Sequence, residues 1–475
     1  MPTPLRLGAD ILTASQMRAA EQALFDAGVS VATLMERAGR GAADYVWRMA
    51  GPGRLVTVLT GPGNNGGDGW VIARALQERG GRVQVAMAAA PTGEVARAMR
   101  RVYEGPVVSG EARGDVLVDC LYGTGLSRAL SGADLALLNG LAGRHRHRIA
   151  IDLPSGVEAD RGDDFAQDLP RYDLTIALGA WKRAHGLMPA VARMGALRLV
   201  DIGCAPVPGA GRRIEGVSIA APAMNAHKYT RGLLGVVVGA MHGAALMAAR
   251  AAGGAGAGYV RLLCDAPLAA PDDLVVQGLD GLSDKRLSAV LVGPGLGRGG
   301  AARAILERAL ANPAPMVLDG DGLHLVTPAM VRDRESLIVT PHEGELAALE
   351  KAFGLDGAGG KAERALVLAK AGGMVVVAKG PDTVIAAPDG RWMMAPPASS
   401  WLSVAGSGDV LAGCIASRLA AGDSGGAGRL AAGHDDFVAA GQGVWLHGRA
   451  AVVAGKPFTA MALAQAVSAA VEQCL

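Results

Sequence analysis

The chain carries no excess of charge of either sign: 46 Lys+Arg stand against 44 Asp+Glu, a formal charge of +2. That balance excludes the strongly basic surface of a nucleic-acid clamp or a membrane-surface binder. Cysteine is scarce. Cys120, Cys204, Cys264, Cys414 and Cys474 are widely separated, odd in number and never in CxxC spacing. This rules out the usual zinc sites and argues against a disulfide scaffold, so a reducing, cytoplasmic compartment is expected. Long apolar runs are also missing. The most apolar stretch, Leu233–Ala249, falls short of a bilayer span and contains His242 and three glycines, so it reads as a buried strand plus helix. Arg6 and Asp10 have no apolar core between them, and no signal peptide is expected.

Small and turn-forming residues are abundant. With 69 Gly and 24 Pro, about a fifth of the 475 residues break regular structure, yet no G-X-Y period accompanies them, which excludes collagen. Half the chain is hydrophobic and 19% is charged, the composition of a packed globular protein of two or three domains. Helices are predicted at Ser15–Phe25, capped by Thr13 or Ser15, and at Val31–Met49. Strand-length apolar runs follow at Leu55–Thr60, Val83–Ala88, Val116–Asp119, Ile149–Leu153, Leu174–Leu178 and Leu197–Val200, with helices at Gly69–Arg79 and Gly93–Arg101. Apolar strands alternating with helices predict a parallel sheet covered on both faces.

Ala205–Arg213 is Pro- and Gly-rich and reads as a linker; after it the pattern restarts. Strands are predicted at Leu233–Ala240, Ala289–Val292, Met316–Asp319, Leu337–Thr340 and Met374–Ala378. A hairpin joins Thr383–Ala387 to Arg391–Met394, and the end of the chain, Ser407–Ala421 and Phe437–Val471, is mostly helical. The fold class is therefore α/β in two domains, taken as 1–213 and 214–475.

In the first half, strand Leu55–Thr60 is followed by Gly61-Pro62-Gly63-Asn64-Asn65-Gly66-Gly67-Asp68-Gly69. This is a GxGxxG turn in the strand-to-helix setting that offers backbone N–H groups to an anion. An ordinary dehydrogenase needs an acid about 20 residues on, at the end of the next strand. Here that strand ends Met87-Ala88-Ala89-Ala90, and no Walker lysine follows the turn either. Two more polar turns follow strands: Asp119 with Gly123-Thr124-Gly125, and Asp152-Leu153-Pro154-Ser155-Gly156. Trp181–Gly186 adds cationic groups that are expected to be mostly exposed charge.

These stretches, with Met17–Gln22 and Leu34–Gly39, resemble the NAD(P)H-hydrate epimerase family over residues 10–205. The resemblance implies a Rossmann-like domain that interconverts the R and S forms of the hydrated nicotinamide ring. By matching position, Asn64, Asn65, Gly66, Gly67 and Asp68 would contact the hydrate, as would Gly123, Thr124, Gly125, Leu126, Ser127, Arg128, Ala129 and Asp152. Asn65, Asp119 and Ser155 would hold a potassium ion. Asp119 is the expected acid/base group, because epimerisation at the hydroxyl-bearing carbon needs proton transfer.

In the second half, Ala405–Gly413 enters an apolar helix, where small residues and free N–H groups suit an anion. Asp409 stands in its first turn, where it can take a proton from a hydroxyl attacking phosphorus. Gly293–Gly297, Asp319-Gly320-Asp321, Thr340–Glu345 and Lys379–Thr383 all follow strands. Together with His227-Lys228, Gly232 and Gly239–Ala245, these resemble the ribokinase-like fold, and more closely the ADP-dependent NAD(P)H-hydrate dehydratase family, over residues 222–475. The resemblance implies that Ala244, Gly295, His342 and Asp409 meet the hydrate, and that Lys379, Gly380, Pro381, Asp382, Thr383 and Gly408 hold the nucleotide. It also implies ADP as cosubstrate and magnesium on its phosphates. Ala398–Leu402 stands where that family has an Asn- and Gly-containing stretch, Gly320 and Gly322 stand where alanines are usual, and Glu343 stands where a proline is common.

The expected protein is thus a fused epimerase and dehydratase acting on NADHX and NADPHX. Its partners would be small molecules only, with neither nucleic acid nor membrane, and it would form a homo-oligomer. Two alternatives remain open at this stage: a ribokinase-like small-molecule kinase, and a first domain that binds nucleotide without catalysis.

Overall fold

A computed structural model describes residues 5–422 and 435–475. It divides into two compact units, Ala9–Ala210 and a second unit of Gly211–Leu475 with the residues up to Gly8. The first few described residues thus belong with the second unit, not with the first as the expected 1–213 domain had it. The reason is a strand, Leu5–Leu12, that the sequence reading missed. Its first half borders Gly211–Val217, where Arg212 Nε donates to Gly8 O at 2.9 Å and buried Leu5 joins the core with Ile214. That second strand begins inside the predicted linker. The other end of Leu5–Leu12 turns to the first unit, where Ile11 and Leu12 pair with Trp181 and Lys182.

In the N-terminal unit, Thr13 caps helix Ala14–Asp26 through a reciprocal bond with Gln16, an arrangement worth ~1 kcal/mol. Seven parallel strands follow. Across the sheet they run Val107–Val108, Arg82–Met87, Leu55–Thr60, Gly114–Cys120, His145–Ile151, Leu174–Leu178 and Ala196–Val200. Counted along the chain this order is the doubly wound one, with its reversal between Leu55–Thr60 and Gly114–Cys120. Alternation within strands separates two cores. Val116 and Val118 face Val46, Trp70 and Ile72 on one side, while Leu117 and Leu59 face Leu138 and Leu141 on the other.

The same order recurs in the C-terminal unit. Val275–Gln277, Tyr259–Leu263, Leu233–Val237, Leu287–Val292, Met316–Leu318, Leu337–Val339 and Val375–Ala378 are parallel neighbours. The expected hairpin, Val384–Ala386 with Trp392–Met394, then continues the sheet antiparallel. Helices His242–Gly254, Ser407–Ala421, Asp436–Val453 and Ala460–Glu472 cover one face. They lie close because small residues face each other: a Cβ on Gly413 would stand 2.1 Å from Ala248 O. Among the described residues no helix is long and apolar enough to cross a membrane.

Two candidate active sites

In open α/β sheets ligands bind where the strand order reverses, beyond the strand carboxyl ends. In the N-terminal unit that point lies between Gly61 and Leu121. The two loops are in backbone contact there, since a Cβ on Gly61 would fall 1.9 Å from Leu121 O. The helix begins at Asn64, five residues before its predicted start, so Asn64–Asp68 is its first turn and not a loop. Gly66 permits this, because a Cβ there would meet Gly61 O at 1.9 Å. Asn65 sits in that turn with both amide atoms buried and neither hydrogen-bonded. Opposite lies Gly123, whose missing Cβ would stand 2.8 Å from Asp152 Oδ2 and 3.3 Å from Asn65 Cγ. Asn65, Gly123 and Asp152 are therefore brought together. Gly125, Ser127, Arg128 and Ala129 are exposed on the same loop.

Asp152 has a left-handed backbone, φ 65°, in a non-glycine residue held by its surroundings. Thr124 donates to its Oδ2 through N–H at 2.8 Å and hydroxyl at 2.6 Å. Its Oδ1 accepts from Lys182 Nζ, which also donates to Leu178 O at 2.6 Å and Ala180 O at 3.2 Å. His185 completes the set. Its Nδ1 accepts the Lys182 N–H at 2.9 Å, so Nε2 carries the proton donated to Asp152 O at 2.7 Å. Lys182, Arg183 and His185 are all buried, which corrects the expectation of exposed charge in this segment. The sequence shows cations there, but not the pairing of Trp181 and Lys182 with Ile11 and Leu12, nor the bonds to Asp152 that hold Lys182 and His185 inside.

One ammonium serves three carboxylates. Burial pushes Asp152 up, but Lys182 and Thr124 outweigh it and hold the group below its usual range. Asp68 is raised well above it by burial, with Asp152 and Glu21 adding and Lys182 opposing. Among the described residues the Asp68 carboxyl has no hydrogen-bond partner. Asp119 is the reverse case. Fully buried, it accepts four bonds: from Leu121 N at 3.0 Å, Ser155 N at 3.1 Å, Ser155 Oγ at 2.7 Å and the Tyr172 hydroxyl at 2.5 Å. Burial still wins, and its proton affinity is raised.

In the C-terminal unit the reversal lies between strands Leu233–Val237 and Leu287–Val292, beyond Val237 and Val292, and again the loops join: Met241 N donates to Gly295 O at 2.8 Å. Gly295 has φ 63°, and a Cβ there would stand 3.1 Å from that of Ala244, so these two hydrate candidates are neighbours. Lys379 and Gly408 are also close, with 3.7 Å from Lys379 Nζ to the place a Gly408 Cβ would take. The turn after Lys379 is closed by Thr383 Oγ1 donating to Gly380 O at 2.8 Å. Lys361 braces it through Asp382. His342 caps helix Glu343–Ala352: its Nδ1 accepts from Gly344 N at 3.0 Å, and Glu345 returns a bond to the His342 N–H at 2.8 Å. A proline at 343 is thus not needed to start this helix.

Asp409, in the first turn of Ser407–Ala421, has no hydrogen-bond partner among the described residues. Burial and the nearby Asp319 raise it to about 6 against the pull of Lys379. Sequence reasoning missed His447. Its Nε2 lies 3.0 Å from Ser407 O and 3.1 Å from Ser407 Oγ, clamping the turn that carries Asp409. A lone histidine mid-helix gives no signal of this.

Family models match both units: "NAD(P)H-hydrate dehydratase" over residues 234–473 and "YjeF-related protein N-terminus" over 31–184. The bifunctional NAD(P)H-hydrate repair enzyme Nnr of Gloeobacter violaceus is 32% identical over 461 residues, spanning 86% of this chain and 89% of its own. The chain belongs to the bifunctional NAD(P)H-hydrate repair enzyme family. Another member, from Salinibacter ruber, is 32% identical over 71% of this chain and 75% of its own. The ADP/ATP-dependent NAD(P)H-hydrate dehydratase of Bacillus subtilis, co-crystallized with ATP/Mg2+, is 26% identical with a TM-score of 0.43, covering 54% of this chain and 95% of its own. Family membership decides against the small-molecule kinase reading.

Proposed function

We propose that the chain repairs hydrated NADH and NADPH in two steps, one in each unit. The N-terminal unit exchanges the R and S hydrates. The C-terminal unit dehydrates the S form with ADP, releasing AMP and phosphate. The observation that carries this reading is the paired design: each unit gathers its family motifs at a strand-order reversal, each with a carboxyl group that has no hydrogen-bond partner among the described residues.

In the first site Asn64–Asp68, Gly123–Ala129 and Asp152 receive the hydrate. Asn65 fits an oxygen-seeking cation, since its buried carbonyl oxygen has no partner. Ser155 and Asp119 complete the potassium set, Asp119 by exchanging one of its four hydrogen bonds. A bound potassium ion supplies fixed positive charge beside the substrate. Asp119 keeps its place as an acid/base candidate, but its carboxylate is saturated, whereas burial raises the proton affinity of Asp68, which has no hydrogen-bond partner among the described residues. The geometry favours Asp68 as the group that lends a proton while Lys182 keeps Asp152 ionised.

In the second site Ala244, Gly295 and His342 receive the hydrate, and Lys379–Thr383 with Gly408 hold the nucleotide. Asp409 takes the proton from the substrate hydroxyl as its oxygen attacks the β-phosphorus of ADP and AMP leaves. Loss of phosphate and a ring proton then restores the dihydronicotinamide. Lys379 is already matched by Asp319 and Glu345, so the phosphates need further positive charge, which magnesium supplies when bound. The proposal takes the enzyme to be a cytoplasmic homo-oligomer with small-molecule partners.

The test is a mixed R/S hydrate incubated with the protein, followed by epimer-resolving chromatography and reduced-nicotinamide absorbance. Exchange without ADP and full recovery with ADP are expected. Recovery of the S portion alone removes the epimerase assignment, and ADP-independent behaviour of both epimers removes the dehydratase assignment.

A further inference from the structure

Asp319 follows strand Met316–Leu318 and is buried at the centre of a bond set that links three adjacent strand ends. Its Oδ1 accepts the Thr340 hydroxyl at 2.6 Å and Lys379 Nζ at 2.6 Å. Thr340 ends the next strand, donating its N–H to Leu318 O at 3.2 Å, and Lys379 ends the one after, donating its N–H to Pro341 O at 2.8 Å. Asp319 O itself lies 1.8 Å from where a Gly293 Cβ would be, which ties the bond set to the loop carrying Gly295. On the far side Lys379 Nζ lies 3.7 Å from Glu345 Oε2. Burial alone lowers the proton affinity of Lys379, but Asp319 and Glu345 reverse this, so the ammonium stays charged.

We propose that Asp319 is a positioning residue of the dehydratase reaction: it fixes the Lys379 ammonium over the nucleotide turn and places a like charge in the neighbourhood of Asp409. This rests on the dehydratase reading of the second site. A free lysine would sample many rotamers, and ordering it in advance lowers the cost of binding phosphate. The charged groups that act on Asp409 are Asp319 and Lys379 from the strand ends; Glu345 lies behind Lys379, and His447, on helix Asp436–Val453 and kept neutral by burial, bonds Ser407 in the same turn. Removing the Asp319 charge leaves Lys379 as the stronger neighbour, so Asp409 must become more acidic.

The test compares wild type, Asp319→Asn and Thr340→Val in the full chain, with the pH profile of dehydratase kcat/KM and the KM for ADP as readouts. Epimer exchange and thermal melts serve as folding controls. In Asp319→Asn the acid limb is expected to move to lower pH by about half a unit or more, with KM for ADP raised roughly tenfold. Thr340→Val is nearly isosteric and keeps the charge, so its acid limb should stay in place while KM rises about threefold. An unmoved or upward-moving limb with unchanged KM in Asp319→Asn overturns the proposal. If that variant does not fold, a wild-type KM in Thr340→Val does so. Loss of ADP-dependent turnover in the wild type itself would instead remove the reading on which the proposal rests.

Discussion

The ammonium of Lys182 and the carboxylate of Asp152 form a buried ion pair, their side chains 1% and 12% exposed. Breaking such a pair strands a charge, which costs about 3–5 kcal/mol. Lys182→Met should therefore lower the stability of the N-terminal unit by that order and abolish epimer exchange, while ADP-dependent turnover of the S hydrate continues. Asp152 is held below its usual range, so its stabilisation is present above the unfolded carboxylate value and lost as pH falls through the folded one. The melting difference between variant and wild type should accordingly narrow below about pH 4.

Asp68 has the opposite sign. Its folded proton affinity is raised by burial, so above the unfolded value the unfolded chain holds fewer protons and stability falls with rising pH. Asp68→Asn should melt higher than wild type by a margin that grows as pH rises above the unfolded carboxylate value, about 4. The same variant should lose epimer exchange by about 10²–10⁴-fold if Asp68 lends the proton. Asp119→Asn, run beside it, separates the two carboxyls. A larger loss in Asp119→Asn, with Asp68→Asn near wild type, returns the role to Asp119.

Gly123 leaves no room for a side chain between Asp152 and Asn65. Gly123→Ala should depress epimer exchange by at least about tenfold, because a displacement near 1 Å at a reacting centre is costly. Dehydration of the S hydrate should be unchanged, and both rates can be read in one assay.

His447 holds the Ser407 turn through two contacts, and burial brings its own value down to about 4, so it stays neutral through the working range. His447→Leu should cost roughly 1–3 kcal/mol in melting experiments and raise KM for ADP. His447→Gln, which keeps a donor, should restore part of both.

How far the sequence carried the structure follows from the kind of signal involved. Leu55–Thr60, Leu174–Leu178 and helix Ser407–Ala421 are found at their expected bounds, because an apolar run or a Gly-Ser-Gly-Asp start is a local signal. Leu5–Leu12 and Gly211–Val217 were missed, because each is a strand only through a partner about 200 residues away. The first turn at Asn64 was read as loop because three glycines weaken helix propensity, and tight packing on Gly61 and Met35 overrides that. In the sites, motif positions such as Asn65, Asp152, Lys379 and Asp409 were visible. Lys182 and Asp319 were visible only as members of polar segments, since their roles depend on which strand ends become neighbours, and His447, in mid-helix, gave no signal. The replacement stretch near Ser400 forms a short 3₁₀ turn, with Ser399 Oγ accepting from Trp401 N at 3.3 Å.

The central claim is that two independent chemistries reside in the two units, with Asp409 as the base of only one. The direct measurement is the full chain carrying Asp409→Asn, given mixed hydrate with ADP. Deprotonation of Asp409 near pH 6 should set the wild-type rate. The variant should show epimer exchange at the wild-type rate and a recovery of reduced-nicotinamide absorbance slowed by about 10²-fold or more. Wild-type recovery in the variant, or loss of exchange together with recovery, would contradict the account.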